Sequence, residues 1–277
     1  MDKQKILILG GKGNLGQALK QVFSEEDVLC LGKEELDITD ISSVVKVLKE
    51  FKPDFVFNCA AFTNVDKAEI EEEKATEVNG KAVGKLAKVC YNDDIILVHF
   101  STGMVFGNDK ESYNEDDKPN PINAYGRSKL FGEVVIQQNL LKYYIIRTCW
   151  LYGEEVGGKK SFTDLMLSIT NKDMDVIGDE FGNPTYVKDL ARMCWVLINL
   201  RKPFGIYHLV NEGVASRYDW AKEIFSIQKI VKHLTKVNSL FFKRDARRAK
   251  YEVLNNTKFV KARPWQDALR EYLEDNL

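Results

Sequence analysis

The sequence predicts an α/β protein whose main body is a doubly wound parallel sheet, with a second, smaller unit in the C-terminal half. Three observations carry this. Short apolar runs alternate with longer helical patterns through the first half of the chain, which is the spacing of βαβ units. The runs hold few polar residues, as expected of strands covered by helices on both faces. A glycine-rich segment separates the first apolar run from the first helical pattern.

In order, Lys5–Leu9 reads as a strand, Asn14–Ser24 as a helix and Asp27–Leu31 as a strand. Ile41–Phe51 is helical, Asp54–Asn58 a strand, Asn79–Tyr91 a helix and Ile95–Ser101 a buried strand. The long helix Asn123–Leu141 precedes the strand Tyr143–Thr148. The second half is less regular. A Gly/Lys-rich loop at 153–160 leads to a helix at 162–170, a strand at 174–178 and a turn-rich stretch, Asp179–Thr185. Lys188–Leu200 is helical, Gly205–Val210 a strand, and Arg217–Ile227 and Asp267–Leu273 further helices. The charged run Ile70–Lys74 reads as a solvated helix start.

Composition narrows the function. The 277 residues are 44% hydrophobic and 29% charged, enough for a sizeable core and wrong for a disordered chain. Forty basic residues against 41 acidic ones leave a net charge of −1, without the basic excess that nucleic-acid binding requires. No apolar run is long enough to cross a membrane. The N-terminus enters a strand without the layout of a signal peptide, so a cytoplasmic location is expected. The five cysteines, Cys30, Cys59, Cys90, Cys149 and Cys194, have neither disulfide-frame nor zinc-site spacing and read as buried reduced thiols.

The loop Gly10-Gly11-Lys12-Gly13-Asn14-Leu15-Gly16 reads GxxGxxG, placed between a strand and a helix. Glycines there allow a tight turn and close approach to a pyrophosphate, which the helix N-terminus attracts with free N–H groups. This is a Rossmann-type dinucleotide site, with Gly10, Gly13, Asn14, Leu15 and Gly16 against the cofactor. The second strand ends in Gly32-Lys33. No carboxylate stands at that point to repel a 2′-phosphate, so NADPH is expected, with NADH as the open alternative. Lys33 is the candidate contact, and Asp37 is placed to reach the adenine amino group.

Tyr125-Gly126-Arg127-Ser128-Lys129 is a YxxxK sequence at the start of a helix. Positions i and i+4 share a helix face, and a nearby ammonium is expected to bring the phenol's pKa toward the working range. The preceding strand ends in Ser101-Thr102, at the sheet edge where ligands bind in doubly wound folds.

Together these residues resemble the extended short-chain dehydrogenase/reductases and, more narrowly, the dTDP-4-dehydrorhamnose reductase family. The likeness includes Leu36–Asp40, Asn58–Glu69, Ser101-Thr102, Val105–Gly107, Asn123–Leu130, Arg147–Gly153 and Asp179–Thr185. It implies an NAD(P)H-dependent oxidoreductase acting on the 4-keto group of a nucleotide-linked deoxysugar, with dTDP-4-dehydro-L-rhamnose as the first candidate. It also implies a dinucleotide-binding domain at 1–152 and 185–212 and a substrate-binding domain at 153–184 and 213–277. Thr102 and Tyr125 would hold the substrate carbonyl, Tyr125 would supply the proton, and Lys129 would hold the nicotinamide ribose. Ile38, Asn58, Ala60, Ala61 and Thr63 would line the cofactor, and Asn79 would anchor active-site backbone or water. Gly103, Met104, Trp150, Phe181, Thr185 and Arg248 would fall on the substrate side.

Departures from the family concentrate on that side. Gly103-Met104 stands where Asp-Tyr is usual, and the late Arg-Pro motif appears as Arg247-Arg248-Ala249-Lys250-Tyr251-Glu252, with the Pro and Ser positions changed to Ala249 and Glu252. A carboxylate that some members use for a metal-bridged dimer is Ala18 here, so no metal is expected and a homodimer is left open. Because Gly103 and Met104 transfer no protons, dehydration is disfavoured. An epimerase or reductase of another nucleotide sugar, and a non-catalytic dinucleotide-binding subunit, remain as alternatives. The basic stretch Lys243, Arg244, Arg247, Arg248 and Lys250 reads equally as a diphosphate clamp or a solvated face. His99 and His208 read as structural histidines, and the aromatics of Arg217–Trp220 as packing.

Overall fold

The structure is a computed structural model and describes residues 3–154, 160–169, 173–231 and 233–275. The chain opens β1 (Lys5–Leu9), α1 (Asn14–Val22), β2 (Asp27–Leu31), α2 (Ile41–Phe51) and β3 (Phe55–Asn58). Two short helices follow, α3 (Val65–Ile70) and α4 (Glu72–Thr76). A π-helical turn (Glu77–Lys81) then runs into α5 (Ala82–Asn92). After β4 (Ile96–Thr102) come a 3-10 turn (Gly103–Val105), the long α6 (Ala124–Asn139) and β5 (Tyr143–Thr148).

The six-stranded sheet has the order 2-1-3-4-5 with one more strand, Gly205–His208, beside β5, and every neighbouring pair is parallel. The chain moves from β1 outward to β2 and then crosses to β3 on the other side. The loops after β1 and β3 therefore diverge and open a crevice, the topological switch point where such sheets bind ligands. Alternate residues face opposite sides. Ile6, Ile8, Phe57, Val98 and Ile146 pack under α1 and a later helix, whereas Leu7, Leu9, Val56, Leu97 and Ile145 pack under α2, α5 and α6. Both faces are covered, which explains why the strands read as continuous apolar runs.

The second half supplies β6 (Leu151–Tyr152), α7 (Phe162–Ser168), β7 (Met174–Ile177), β8 (Phe181–Gly182), β9 (Thr185–Tyr186) and α8 (Val187–Asn199). The sheet's sixth strand is β10, followed by β11 (Ala215–Ser216), α9 (Arg217–Ile227), β12 (Leu234–Val237), β13 (Tyr251–Glu252) and α10 (Trp265–Asp275). Small sheets join distant segments: β8 lies between β11 and β13, β12 pairs with β7, and β6 with β9. Most of the loop read at 153–160, and the end of the helix read at 162–170, lie outside the described residues.

The sequence pattern locates each long element to within a few residues. The charged run Ile70–Lys74 leads into α4, as read, whereas α3, too short to show a period, β12 and the two-residue strands, set by tertiary contact, are missed. All five thiols are free, with Cys90, Cys149 and Cys194 buried and Cys30 and Cys59 half-buried. No helix among the described residues is long and apolar enough to cross a membrane. None of their His, Cys, Asp and Glu side chains form a group that could hold a metal.

Candidate active site

The crevice is built from two loops in close contact. Gly10 has φ +70°, and a Cβ there would stand 2.6 Å from the Ala60 backbone nitrogen. Only glycine allows this approach of the first loop to the end of β3. Gly13 precedes α1 without a side-chain cap, so the first N–H groups of that helix stay free for an anion. On the opposite wall, the Asn58 carboxamide accepts from the Ala60 N–H at 3.2 Å. Asn79, buried in the π-helical turn, accepts from the Phe62 N–H at 2.8 Å and donates to the Phe62 carbonyl at 3.0 Å and the Ser128 hydroxyl at 2.9 Å. It thus ties the 60–62 loop to α6, the backbone-anchoring role expected of it. The cradle suits a dinucleotide pyrophosphate. Gly10→Ala should lower dinucleotide affinity roughly 10- to 100-fold, the scale of about 1–3 kcal/mol of backbone strain, as measured by calorimetric titration.

At the end of β2 the structure differs from expectation. Lys33 is largely exposed and faces Asp37 at 3.7 Å. The Asp37 carboxylate already accepts from the Thr39 N–H and hydroxyl at 2.9 and 2.8 Å, and Ile38 points into the core. A carboxylate does stand at this point: Glu35 folds back to accept from the Gly32 N–H at 2.7 Å and faces Lys12 at 3.5 Å. Glu35 lies beyond the end of β2 and is returned to it by the following turn, a placement that the order of residues after the strand does not reveal.

The candidate catalytic residues Thr102 and Tyr125 meet at the end of β4. The Asn123 carboxamide caps α6 by accepting from the Gly126 N–H at 2.7 Å, and it donates to the Arg247 carbonyl at 2.9 Å. The absence of a side chain at Gly126 lets the helix lie directly on the Met104 carbonyl. This seats Tyr125 beside Thr102, whose hydroxyl also accepts from the Met104 N–H at 3.1 Å. Burial, and after it the Glu252 carboxylate, push the Tyr125 phenol up, against a hydrogen bond from Thr102.

The expected acidification by Lys129 is therefore not seen. The lysine amine donates to the Phe100 carbonyl at 2.6 Å and lies 3.3 Å from His99 Nε2, so it is turned to the strand. Burial lowers it to about 8. Burial, with the lysine's charge, keeps His99 neutral, and its Nδ1 lies 3.1 Å from the Asn58 carboxamide nitrogen. His99 thus links Asn58 of the crevice wall to Lys129. Beneath them, the fully buried Glu133 pairs with the buried Arg147 at 2.6 Å and accepts from the Ser101 hydroxyl at 2.5 Å.

A cavity of about 390 Å³ adjoins these groups, and its lining includes Met104, Trp150, Glu180, Arg217, Arg248 and Glu252. Trp150 has φ +49°, an uncommon conformation for a bulky side chain. Its indole N–H donates to Glu252 at 3.1 Å, its ring stacks on Trp220 at 6.0 Å, and the Arg217 guanidinium lies over it at 3.8 Å. Trp150 is thus both a core contact and part of the cavity wall.

The basic stretch divides. Arg244 and Arg248 reach the cavity, the first paired with Glu180 and the second with Asp66 at 2.9 Å, while Lys243, Arg247 and Lys250 are exposed. Two of the anticipated substrate residues are elsewhere. Phe181 stacks on Tyr251 at 5.3 Å, and Thr185 is buried with its hydroxyl on the Asn183 carbonyl at 3.0 Å; neither lines the cavity. Sequence reasoning passed over Arg217 and Glu252. Only their charge inside otherwise apolar or aromatic surroundings could have marked them. Glu252 also corrects the reading of Gly103. The space above that glycine is filled by the Glu252 side chain, whose Cγ would stand 2.7 Å from a Cβ at position 103. A carboxylate is therefore present where Gly103 and Met104 carry none.

The RmlD substrate binding domain family matches residues 4–277. The chain is 35% identical over 280 residues to the spore coat polysaccharide biosynthesis protein SpsK of Bacillus subtilis, spanning 98% of this chain and 97% of that protein. It is 36% identical over 278 residues to a dTDP-4-dehydrorhamnose reductase of Mycolicibacterium smegmatis, spanning 97% and 84%. The crystal structure of dTDP-4-dehydrorhamnose reductase from Bacillus anthracis in complex with NADP superposes with a TM-score of 0.94 at 34% identity, covering 99% of both chains.

Proposed function

The chain belongs to the dTDP-4-dehydrorhamnose reductase family, and from that premise we propose that it is a nucleotide-sugar 4-ketoreductase using NADPH. The first candidate substrate is dTDP-4-dehydro-L-rhamnose, which would yield dTDP-L-rhamnose. The observation that carries the reading is the meeting of Thr102 and Tyr125 beside Glu252 and Met104, which line a cavity together with Trp150 and Arg217.

Gly10, Gly13, Asn14, Leu15 and Gly16 would hold the pyrophosphate, and Asn58, Ala60, Ala61 and Thr63 the opposite wall. Lys33, Asp37 and Ile38 are the adenosine-side candidates, with Ile38 reduced to its backbone by the burial of its side chain. When bound, the reduced dinucleotide supplies a hydride. The chain's own residues do the rest. Thr102 and Tyr125 present two hydroxyls to one ketone oxygen, and donors fixed in advance there stabilise the charge that develops. A phenol held in its neutral form is suited to donate its proton to that oxygen. Lys129, one helical turn after Tyr125, would meet the ribose by turning its amine away from the Phe100 carbonyl. Arg217 and Arg248 offer guanidinium forks to the diphosphate. In this arrangement residues 1–152 and 185–212 serve the dinucleotide, and 153–184 with 213–277 the sugar nucleotide.

Loss of NADPH absorbance with a panel of dTDP-, UDP-, GDP- and CDP-linked 4-keto sugars tests the assignment. Steady oxidation with the dTDP-linked ketone is expected. Tight NADPH binding without turnover of any compound would instead indicate a non-catalytic subunit, and oxidised cofactor retained through purification an epimerase. At the end of β2 the Glu35 carboxylate works against a 2′-phosphate and Lys12, which faces it at 3.5 Å, works for one. Glu35→Gln should therefore shift the kcat/KM ratio toward NADPH over NADH by about two- to five-fold, the small effect expected of a solvent-exposed charge.

A further inference from the structure

Glu252 is a carboxylate with fewer partners than its burial demands. It is 6% exposed, yet among the described residues its carboxylate receives only the Trp150 indole N–H at 3.1 Å and, at a long 3.4 Å, the Thr102 hydroxyl. No ion pair within 4.0 Å reaches it from a described residue, although Arg217 and Arg248 line the same cavity. An ionised carboxylate has about four acceptor positions, and leaving them empty in a buried site is costly. Burial accordingly raises it to about 7, with Arg217 opposing. Its side chain is held over Gly103, which has no Cβ to displace it, and it faces the cavity.

We propose that Glu252 is a specificity-determining residue that accepts a hydrogen bond from the substrate's 3-hydroxyl, so that the chain selects nucleotide-linked 4-keto-6-deoxyhexoses with that hydroxyl and rejects their 3-deoxy counterparts. This rests on the ketoreductase reading. Thr102 touches both the place assigned to the 4-keto oxygen and the Glu252 carboxylate. A group held by Glu252 therefore belongs to a carbon next to the ketone. On one side of C4 that neighbour, C3, carries a hydroxyl; on the other, C5 carries the methyl group and the ring oxygen, neither of which donates. The 3-hydroxyl is the donor that fits. A site built to bond a hydroxyl discriminates strongly against a ligand lacking it, because its own polar group is then left buried and unpaired.

The test compares dTDP-4-dehydrorhamnose with its 3-deoxy analogue, by kcat/KM for NADPH oxidation and by calorimetric Kd, on wild type, Glu252→Gln and Glu252→Ala. NADPH affinity of the variants checks that they fold. Wild type should prefer the 3-hydroxy compound roughly 10- to 100-fold, the scale of a hydrogen bond to a charged group. The preference should shrink in Glu252→Gln and fall close to unity in Glu252→Ala. An equal preference in wild type and Glu252→Ala, or none in wild type, overturns the proposal. If wild type binds both sugars but turns over neither, the ketoreductase reading fails while the Kd ratios still decide the role of Glu252. If it binds neither, both fall.

Discussion

Replacing Tyr125 by Phe should reduce kcat by about 10²- to 10⁴-fold, the range attributed to a positioned proton donor, while NADPH affinity stays nearly constant. The ring is retained and the helix is capped by Asn123 rather than by Tyr125, so the loss would be confined to one hydroxyl. That hydroxyl sits beside Thr102 in a buried setting, next to the Glu252 carboxylate, and both burial and that charge keep it neutral. A neutral phenol is the form required of a proton donor. Single-turnover kinetics with pre-bound NADPH separate this effect from cofactor binding, and unchanged turnover would refute the assignment.

Glu133→Ala should destabilise the fold by about 3–5 kcal/mol, because it strands a buried guanidinium. Arg147 is 2% exposed and takes three contacts with the Glu133 carboxylate, at 2.6, 2.9 and 3.2 Å. Its remaining described partners are the Glu115 carbonyl at 3.4 Å and the Phe106 ring at 5.0 Å, which cannot neutralise it. For a chain of this size the melting temperature should fall by roughly 10 °C. Urea melts of Glu133→Ala and of the double variant Glu133→Ala/Arg147→Met check the cause. The double variant should recover part of the loss, since an apolar replacement of both partners leaves no unpaired charge. Equal destabilisation by both would place the effect in packing instead.

How much was legible follows from the physics of each part. The strands and long helices announce themselves through apolar spacing, and the crevice through the glycines that follow β1. Thr102 and Tyr125 could be singled out because a strand end and a helix start bring them together by local geometry. Glu252 was passed over because it reaches the cavity on β13, a two-residue strand with no sequence period, and Arg217 because it opens α9 at a position that read as packing. The expectation about Lys129 failed for a related reason. Spacing of i and i+4 places two side chains on one face, but the long lysine stem chooses its own partner, here the Phe100 carbonyl. Glu35 was missed because a turn folded it back onto Gly32.

The geometry of Trp150 has a practical consequence. Its ring is clamped between other groups, with a guanidinium over one face, an indole nearby and a carboxylate on its N–H. Each of these influences indole emission, and under the proposed function Arg217 and Glu252 are groups that a sugar nucleotide would engage. The chain therefore carries an intrinsic optical reporter at the cavity wall, through which ligand occupancy can be followed by stopped-flow fluorescence without an added dye.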